Sequence, residues 1–179
     1  MTTLLKLMYI TNDENVAMIA DKYGVDRIFV DLEQIGQQER QGGMDTVQSK
    51  HTLDDVKKIK KCLNNSKLFV RSNPIYQNSK EEIDTIVKNG ADVIMLPYFK
   101  TCQEVQTFVD YVGGRCKTCL LLETPEAVEI IDDILDIDGI DEIHIGLNDL
   151  HLGYKMKFMF ELLADGTVEY LCNKFKHKN

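Results

Sequence analysis

Short apolar runs alternate with amphipathic stretches of helical period along nearly the whole sequence, and this alternation limits the fold more than any other feature. The runs cover residues 7–10, 27–32, 67–72, 92–97, 118–123 and 142–147. Between them, Val16, Ile19, Ala20 and Tyr23 fall on one predicted helix face, and Val56, Ile59 and Leu63 follow a capping box opened by Thr52. Further helical patterns carry Ile83, Ile86 and Val87 before a stop at Asn89 and Gly90, and then Val105, Phe108, Val109 and Val112. Thr124, Pro125 and Glu126 supply a cap, a first-turn proline and an acid at the positive end of the next helix. A last helical pattern covers 159–175. Strands that are apolar throughout signal a parallel sheet covered by helices. Most strand starts lie about 25 residues apart, the step of a (β/α) barrel or of a doubly wound sheet. A complete eight-unit barrel needs about 250 residues. The 179 residues here accommodate about six β-α units in one domain spanning 1–179, without linker, repeat or low-complexity segment.

Composition narrows the function classes. With 44% hydrophobic and 28% charged residues the chain reads as an ordinary globular protein. Its 21 Lys and Arg against 29 Asp and Glu give a net charge of −8, which repels phosphate backbones and argues against a nucleic-acid partner. No apolar run approaches the roughly 20 residues of a membrane helix. Five cysteines in a chain without a signal peptide read as reduced thiols in a cytoplasmic protein.

In a parallel α/β fold, chemistry gathers at the C-terminal ends of the strands. Those ends carry Asp31 and Glu33, Arg71 and Asn73, Pro97, Glu123 and Asp149. Converging carboxylates repel unless a cation or an arginine neutralises them. The set therefore points to a divalent metal on Glu123 and Asp149, with Arg71 facing an anionic substrate. Hard oxygen donors without clustered His or Cys favour Mg²⁺ or Mn²⁺ over zinc. Such a metal, with open positions, can polarise a carbonyl and hold an enolate. Acids that merely end strands and cap the following helices are the bland alternative.

Five stretches in register carry a family resemblance: Val30-Asp-Leu-Glu33, Phe69-Val-Arg-Ser-Asn-Pro74, Gly90-Ala-Asp-Val-Ile-Met-Leu-Pro97, Leu120-Leu-Leu-Glu-Thr-Pro-Glu126 and Ile145-Gly-Leu-Asn-Asp-Leu150. Over about 27–153 the chain resembles the HpcH/HpaI aldolase and citrate lyase β-subunit family of class II pyruvate-dependent enzymes, whose fold is a TIM (β/α)₈ barrel. The resemblance implies that Glu123 and Asp149 are the metal carboxylates and that Arg71 stabilises the enolate or carbonyl oxygen. It also implies that backbone N–H groups of Asn148, Asp149 and Leu150 hold the keto-acid carboxylate, and that Glu33 supports Arg71 or the metal waters. Three departures stand out. Gln34 occupies the place of a proton-transferring His and cannot exchange protons near neutral pH. Tyr98 replaces a Lys that often follows the strand-four Pro, and the last two strands of the barrel have no counterpart.

Residues 34–51 form the longest connection, on the catalytic rim, and loops of that length are usually functional or disordered. Gly42 and Gly43 are candidate hinges and Arg40 a candidate second anion contact. His51, at the loop's return, is the candidate for the acid–base role that Gln34 leaves open. Cys116 and Cys119 have the spacing of a redox pair, yet the motif runs into a strand instead of opening a helix. His144, in mid-strand, reads as a packed barrel residue. These readings converge on a metal-dependent carbon–carbon lyase or aldolase acting on a small 2-keto acid or related hydroxy acid. The rivals are a metal-free phosphate-binding barrel isomerase and a non-catalytic barrel relative used for binding or assembly. Six units leave two strand edges unpaired, which predicts either a homo-oligomer or a further C-terminal part.

Overall fold

A computed structural model describes residues 5–36 and 49–176. Arg40, Gly42 and Gly43 lie outside the described residues. The elements run β1 (Met8–Ile10), α1 (Glu14–Lys22), β2 (Arg27–Asp31), α2 (Leu53–Cys62), β3 (Lys67–Arg71), α3 (Ser79–Lys88), β4 (Val93–Leu96), α4 (Cys102–Val112) and β5 (Lys117–Leu122), then α5 (Pro125–Glu129), α6 (Ile131–Leu135), β6 (Glu142–Ile145), α7 (Leu147–Gly153), α8 (Glu161–Ala164) and α9 (Thr167–Lys176). The strands form one parallel sheet in chain order, β1 to β6.

Strand period two sorts the side chains into two cores. Ile28, Val30, Leu68, Val70, Ile94, Leu96, Leu120 and Leu122 face outward and pack under the helices on Val56, Ile59, Ile83, Ile86, Val105 and Phe108. The alternate positions Phe69, Val93, Met95, Cys119 and Leu121 make a second cluster, joined by Met8 and Phe29, on the concave face. Arg27 on β2 reaches Glu142 on β6 through two hydrogen bonds of 2.7 Å, although three strands separate them in the sheet. A flat sheet would hold these groups far apart. The sheet is therefore curled into six strands of a TIM-type barrel, and the doubly wound alternative falls away.

The caps read from sequence are present. Thr52 and Asp55 form a capping box on α2, and the Thr124 hydroxyl accepts from the Ala127 N–H on α5; the structure adds a further box on α4, from Thr101 and Glu104, that is not among those readings. Two expectations need correction. On α1 the inward face is Ala17 and Asp21, while Tyr23 is 77% exposed and Ile19 is also exposed. Asp21 wins that face because its carboxylate accepts the backbone N–H groups of Asn64, Asn65 and Ser66 ahead of β3. The single helix expected over 159–175 is two, α8 and α9, divided at Gly166, whose φ of +90° no helical residue adopts.

Candidate active site

The same alternation that fills the concave core delivers the polar residues to its mouth. Arg27, Phe29 and Asp31 share one face of β2, and Phe69 and Arg71 share one face of β3, with Asp31 and Arg71 in direct register. Arg71 Nε and Nη2 each donate to Asp31 at 2.8 Å, and Nη1 stands 3.0 Å from the Glu33 carboxylate. Asp31 is 2% exposed and Glu33 1%. The guanidinium also lies over the Phe29 ring, 5.8 Å from its centroid. Burial disfavours the charge on Arg71, but Asp31, Glu33 and Glu123 outweigh that and keep it ionised. A guanidinium has five N–H donors, so this two-carboxylate grip fixes its plane and still keeps donors for a substrate anion.

On the other side of the mouth, Glu123 follows β5 and is 4% exposed. Its Oε1 accepts the Tyr98 N–H at 3.0 Å, and Tyr98 adopts a φ of +50° just past β4. Burial and the neighbouring charges of Asp149 and Glu33 push the Glu123 carboxyl up to about 8, against the opposing pull of Arg71 and the Tyr98 N–H. Gly146 opens the approach to α7. A Cβ there would stand 2.8 Å from the Glu123 Cβ and 3.0 Å from its Oε2, so only glycine lets β6 pass so close to this carboxylate. Gly153 closes the same helix against Pro125, where a Cβ would meet the ring at 2.5 Å. Glu123 and Asp149 together line a cavity of about 510 Å³ with Tyr98, Lys100 and Leu152.

Among the described residues, no group of three or more His, Cys, Asp or Glu side chains is disposed to hold a metal. A buried carboxyl raised by two neighbouring acids is nonetheless the charge imbalance that a hard divalent cation relieves, and two carboxylates with remaining open positions suit Mg²⁺ or Mn²⁺. The donor set fits such an ion. Asn148 sits in the first turn of α7, where N–H groups point out of the helix end. Leu150 does not fit the part expected of it. Its N–H donates to the Gly146 carbonyl at 3.2 Å and its side chain is fully buried, because it is the first residue of α7 to close a helical hydrogen bond.

His51 stands apart from these carboxylates. It lines a second cavity, of about 380 Å³, with Gln34, Asn73 and Tyr76, and its Nδ1 accepts the Asp31 N–H at 3.0 Å. Asn73 clamps the start of the long loop: its Oδ1 accepts the N–H groups of Gln34 and Ile35, while Glu82 holds Asn73 from below. His144, in register with Leu121 on β5, is exposed among the described residues and not packed as the sequence suggested. Cys119 belongs to the concave core and Cys116 to the outer one, so the two thiols face opposite sides of β5, and burial raises both. Sequence reasoning missed the roles of Asp31, Glu82 and Gly146. Register pairing of Asp31 with Arg71 was the one available signal.

A profile of the HpcH/HpaI aldolase/citrate lyase family matches residues 6–161. The chain belongs to that family. Its fold is shared with the citrate synthase SbnG at a TM-score of 0.74 and 16% identity, covering 94% of this chain and 71% of SbnG. It is likewise similar to an HpcH/HpaI aldolase/citrate lyase family protein from Burkholderia cenocepacia J2315, at a TM-score of 0.73 and 14% identity over 97% and 76% of the two chains. The HpcH/HpaI aldolase from Desulfitobacterium hafniense DCB-2 matches at 0.66 and 16%, over 86% of this chain and 67% of that one. At these identities the likeness is one of fold, and the chain spans only part of each family relative's length. No curated protein matches the sequence. No helix among the described residues is long and apolar enough to cross a membrane.

Proposed function

We propose that this family member is a divalent-metal-dependent carbon–carbon lyase or aldolase acting on a small 2-keto acid or a related hydroxy acid. One observation carries the reading: Glu123, crowded by Asp149 and Glu33, faces Arg71, which Asp31 and Glu33 hold in place. Glu123 and Asp149 would hold Mg²⁺ or Mn²⁺, and the bound ion would supply Lewis acidity to the keto acid. Arg71, locked before substrate arrives, would donate to the carbonyl oxygen as negative charge grows there on cleavage. The Asn148 N–H would bind the carboxylate. Tyr98, by donating its N–H to Oε1, would leave Oε2 as the Glu123 donor atom. His51 lines the neighbouring cavity with its Nδ1 already accepting the Asp31 N–H, so the acid–base role expected of it has no open ring nitrogen to take up a proton. Association of copies in a cytoplasmic setting belongs to the same reading. Exposed Tyr9 and Ile10 on the outermost strand support it, and a monodisperse monomer by light scattering would refute it.

A binding or assembly module is the second reading, favoured by Gln34, which cannot exchange protons. Mn²⁺ binding by EPR, with and without oxalate as a mimic of the pyruvate enolate, separates them. The enzyme reading expects Mn²⁺ uptake that oxalate strengthens and that Glu123→Ala abolishes. Uptake by neither the wild type alone nor the wild type with oxalate sinks it.

A further inference from the structure

The backbone at the end of β2 presents a problem that His51 solves. In the β1–β2 ladder the Arg27 N–H donates to the Leu7 carbonyl, and strand alternation turns the N–H of every second residue, Phe29 and then Asp31, to the same side. β1 ends at Ile10, so no strand carbonyl is there for Asp31. A buried N–H left unpaired would forfeit its bond to water with nothing in return. The imidazole of His51, 9% exposed, takes the vacant place with Nδ1 at 3.0 Å. Only a ring without a proton on Nδ1 can accept, so the neutral tautomer carrying its proton on Nε2 is the one this contact requires.

From this contact we infer that His51 is a positioning residue for Arg71, its Nδ1 fixing the last residue of β2 so that the Asp31 carboxylate meets the guanidinium squarely. The inference rests on the proposed anion-binding role of Arg71 and goes beyond it. The chain of contacts is short. Nδ1 holds the Asp31 backbone, and the same residue's two carboxylate oxygens each accept one Arg71 N–H at 2.8 Å. Leu32 secures the other side of this joint by donating its N–H to the Arg71 carbonyl. Protonating His51 would convert Nδ1 from acceptor to donor and set two N–H groups against each other. The charges facing the ring are Asp31 from β2 and Asp55 from α2, with Glu81 and Glu82 from α3 along the same cavity. Asp31 and Asp55 favour imidazolium, yet burial outweighs them and lowers the His51 pKa, so the ring stays an acceptor through neutral pH.

The test compares His51→Asn, whose Oδ1 stands near the position of Nδ1, with His51→Leu, which fills the space but accepts nothing. In ¹⁵N-edited spectra at pH 7.5, His51→Asn should keep the Arg71 Nε–H and Asp31 amide resonances at their wild-type shifts, and His51→Leu should move both. With Mn²⁺ present, oxalate affinity should fall about tenfold in His51→Leu through a misaimed Arg71, and little in His51→Asn. In the wild type alone, acidification through the His51 titration should carry the Arg71 Nε–H resonance along with it, which guards against a leucine variant that fails to fold. An Arg71 resonance indifferent to both His51→Leu and wild-type acidification overturns the inference, as does equal disturbance by Asn and Leu. If the wild type takes up no oxalate, the enzyme reading fails while the Arg71 resonance still decides this one.

Discussion

Glu123 holds the electrostatic tension of the site. Its carboxyl is raised to about 8, first by burial and then by Asp149 and Glu33, so near neutral pH it is largely protonated. On the proposed reading, a cation bound there would have to displace that proton. Below pH 8 each unit of acid should therefore weaken Mn²⁺ binding about tenfold. Titrating Mn²⁺ at pH 6, 7 and 8 by EPR reads this slope, and calorimetry in two buffers should register about one proton released at pH 7. A pH-independent affinity across that range would show that Glu123 is not a ligand. At this scale the sequence was readable where a residue ends an apolar run, as Arg71 and Glu123 do. It singled out His51 for a different part and was silent on Gly146; their contributions are one accepted N–H and one absent Cβ, set by how far β1 extends and how closely β6 passes.

Elements with self-contained signals were legible before the fold was known. Thr52 and Thr124 each cap a helix through contacts three residues away, which sequence spacing displays directly. α1 misled because apolar period alone points to Ile19 and Tyr23, whereas the helix is oriented by a polar bond to a distant turn. Asp21 accepts from Ser66, Asn65 and Asn64, and although burial works to raise its pKa these bonds hold it at about 2, below the ordinary 3.8. A carboxylate depressed in the fold gives stability that is present above pH 3.8 and is lost as pH falls through 2. Asp21→Ala should therefore cost on the order of 2–3 kcal/mol at pH 7, since it strands buried N–H groups. That difference from wild type should shrink between pH 4 and pH 2. Urea denaturation of both proteins across this range measures it, and a gap independent of pH would mean that packing, not the carboxylate, orients α1.

At the scale of the molecule, the unit count and the parallel order of the strands followed from the 25-residue step, but the curl did not, because it depends on a contact across 115 positions of sequence. Arg27 and Glu142 bridge the concave face near the strand starts, with side chains 14% and 25% exposed and both guanidinium ends engaged at 2.7 Å. The bridge sits at one end of β6, and Gly146 and Asp149 follow the other. Among the described residues no strand pairs with the outer side of β6, so loosening the bridge should let β6 swing and carry Asp149 away from Glu123. Arg27→Ala should lower stability by about 1–3 kcal/mol, because it leaves the Glu142 carboxylate without its partner. It should also weaken Mn²⁺ binding by about 0.5–2 kcal/mol although neither carboxylate ligand is touched. Pairing Arg27→Met with Glu142→Leu should recover stability, since an apolar pair carries no stranded charge, yet not the full Mn²⁺ affinity, because methyl contacts do not set direction as a two-pronged ion pair does. Hydrogen exchange of the β6 amides should speed in Arg27→Ala and slow again in the pair. If Arg27→Ala is less stable but binds Mn²⁺ as tightly as wild type, the curl is held elsewhere and the site is set by β5 and α7 alone.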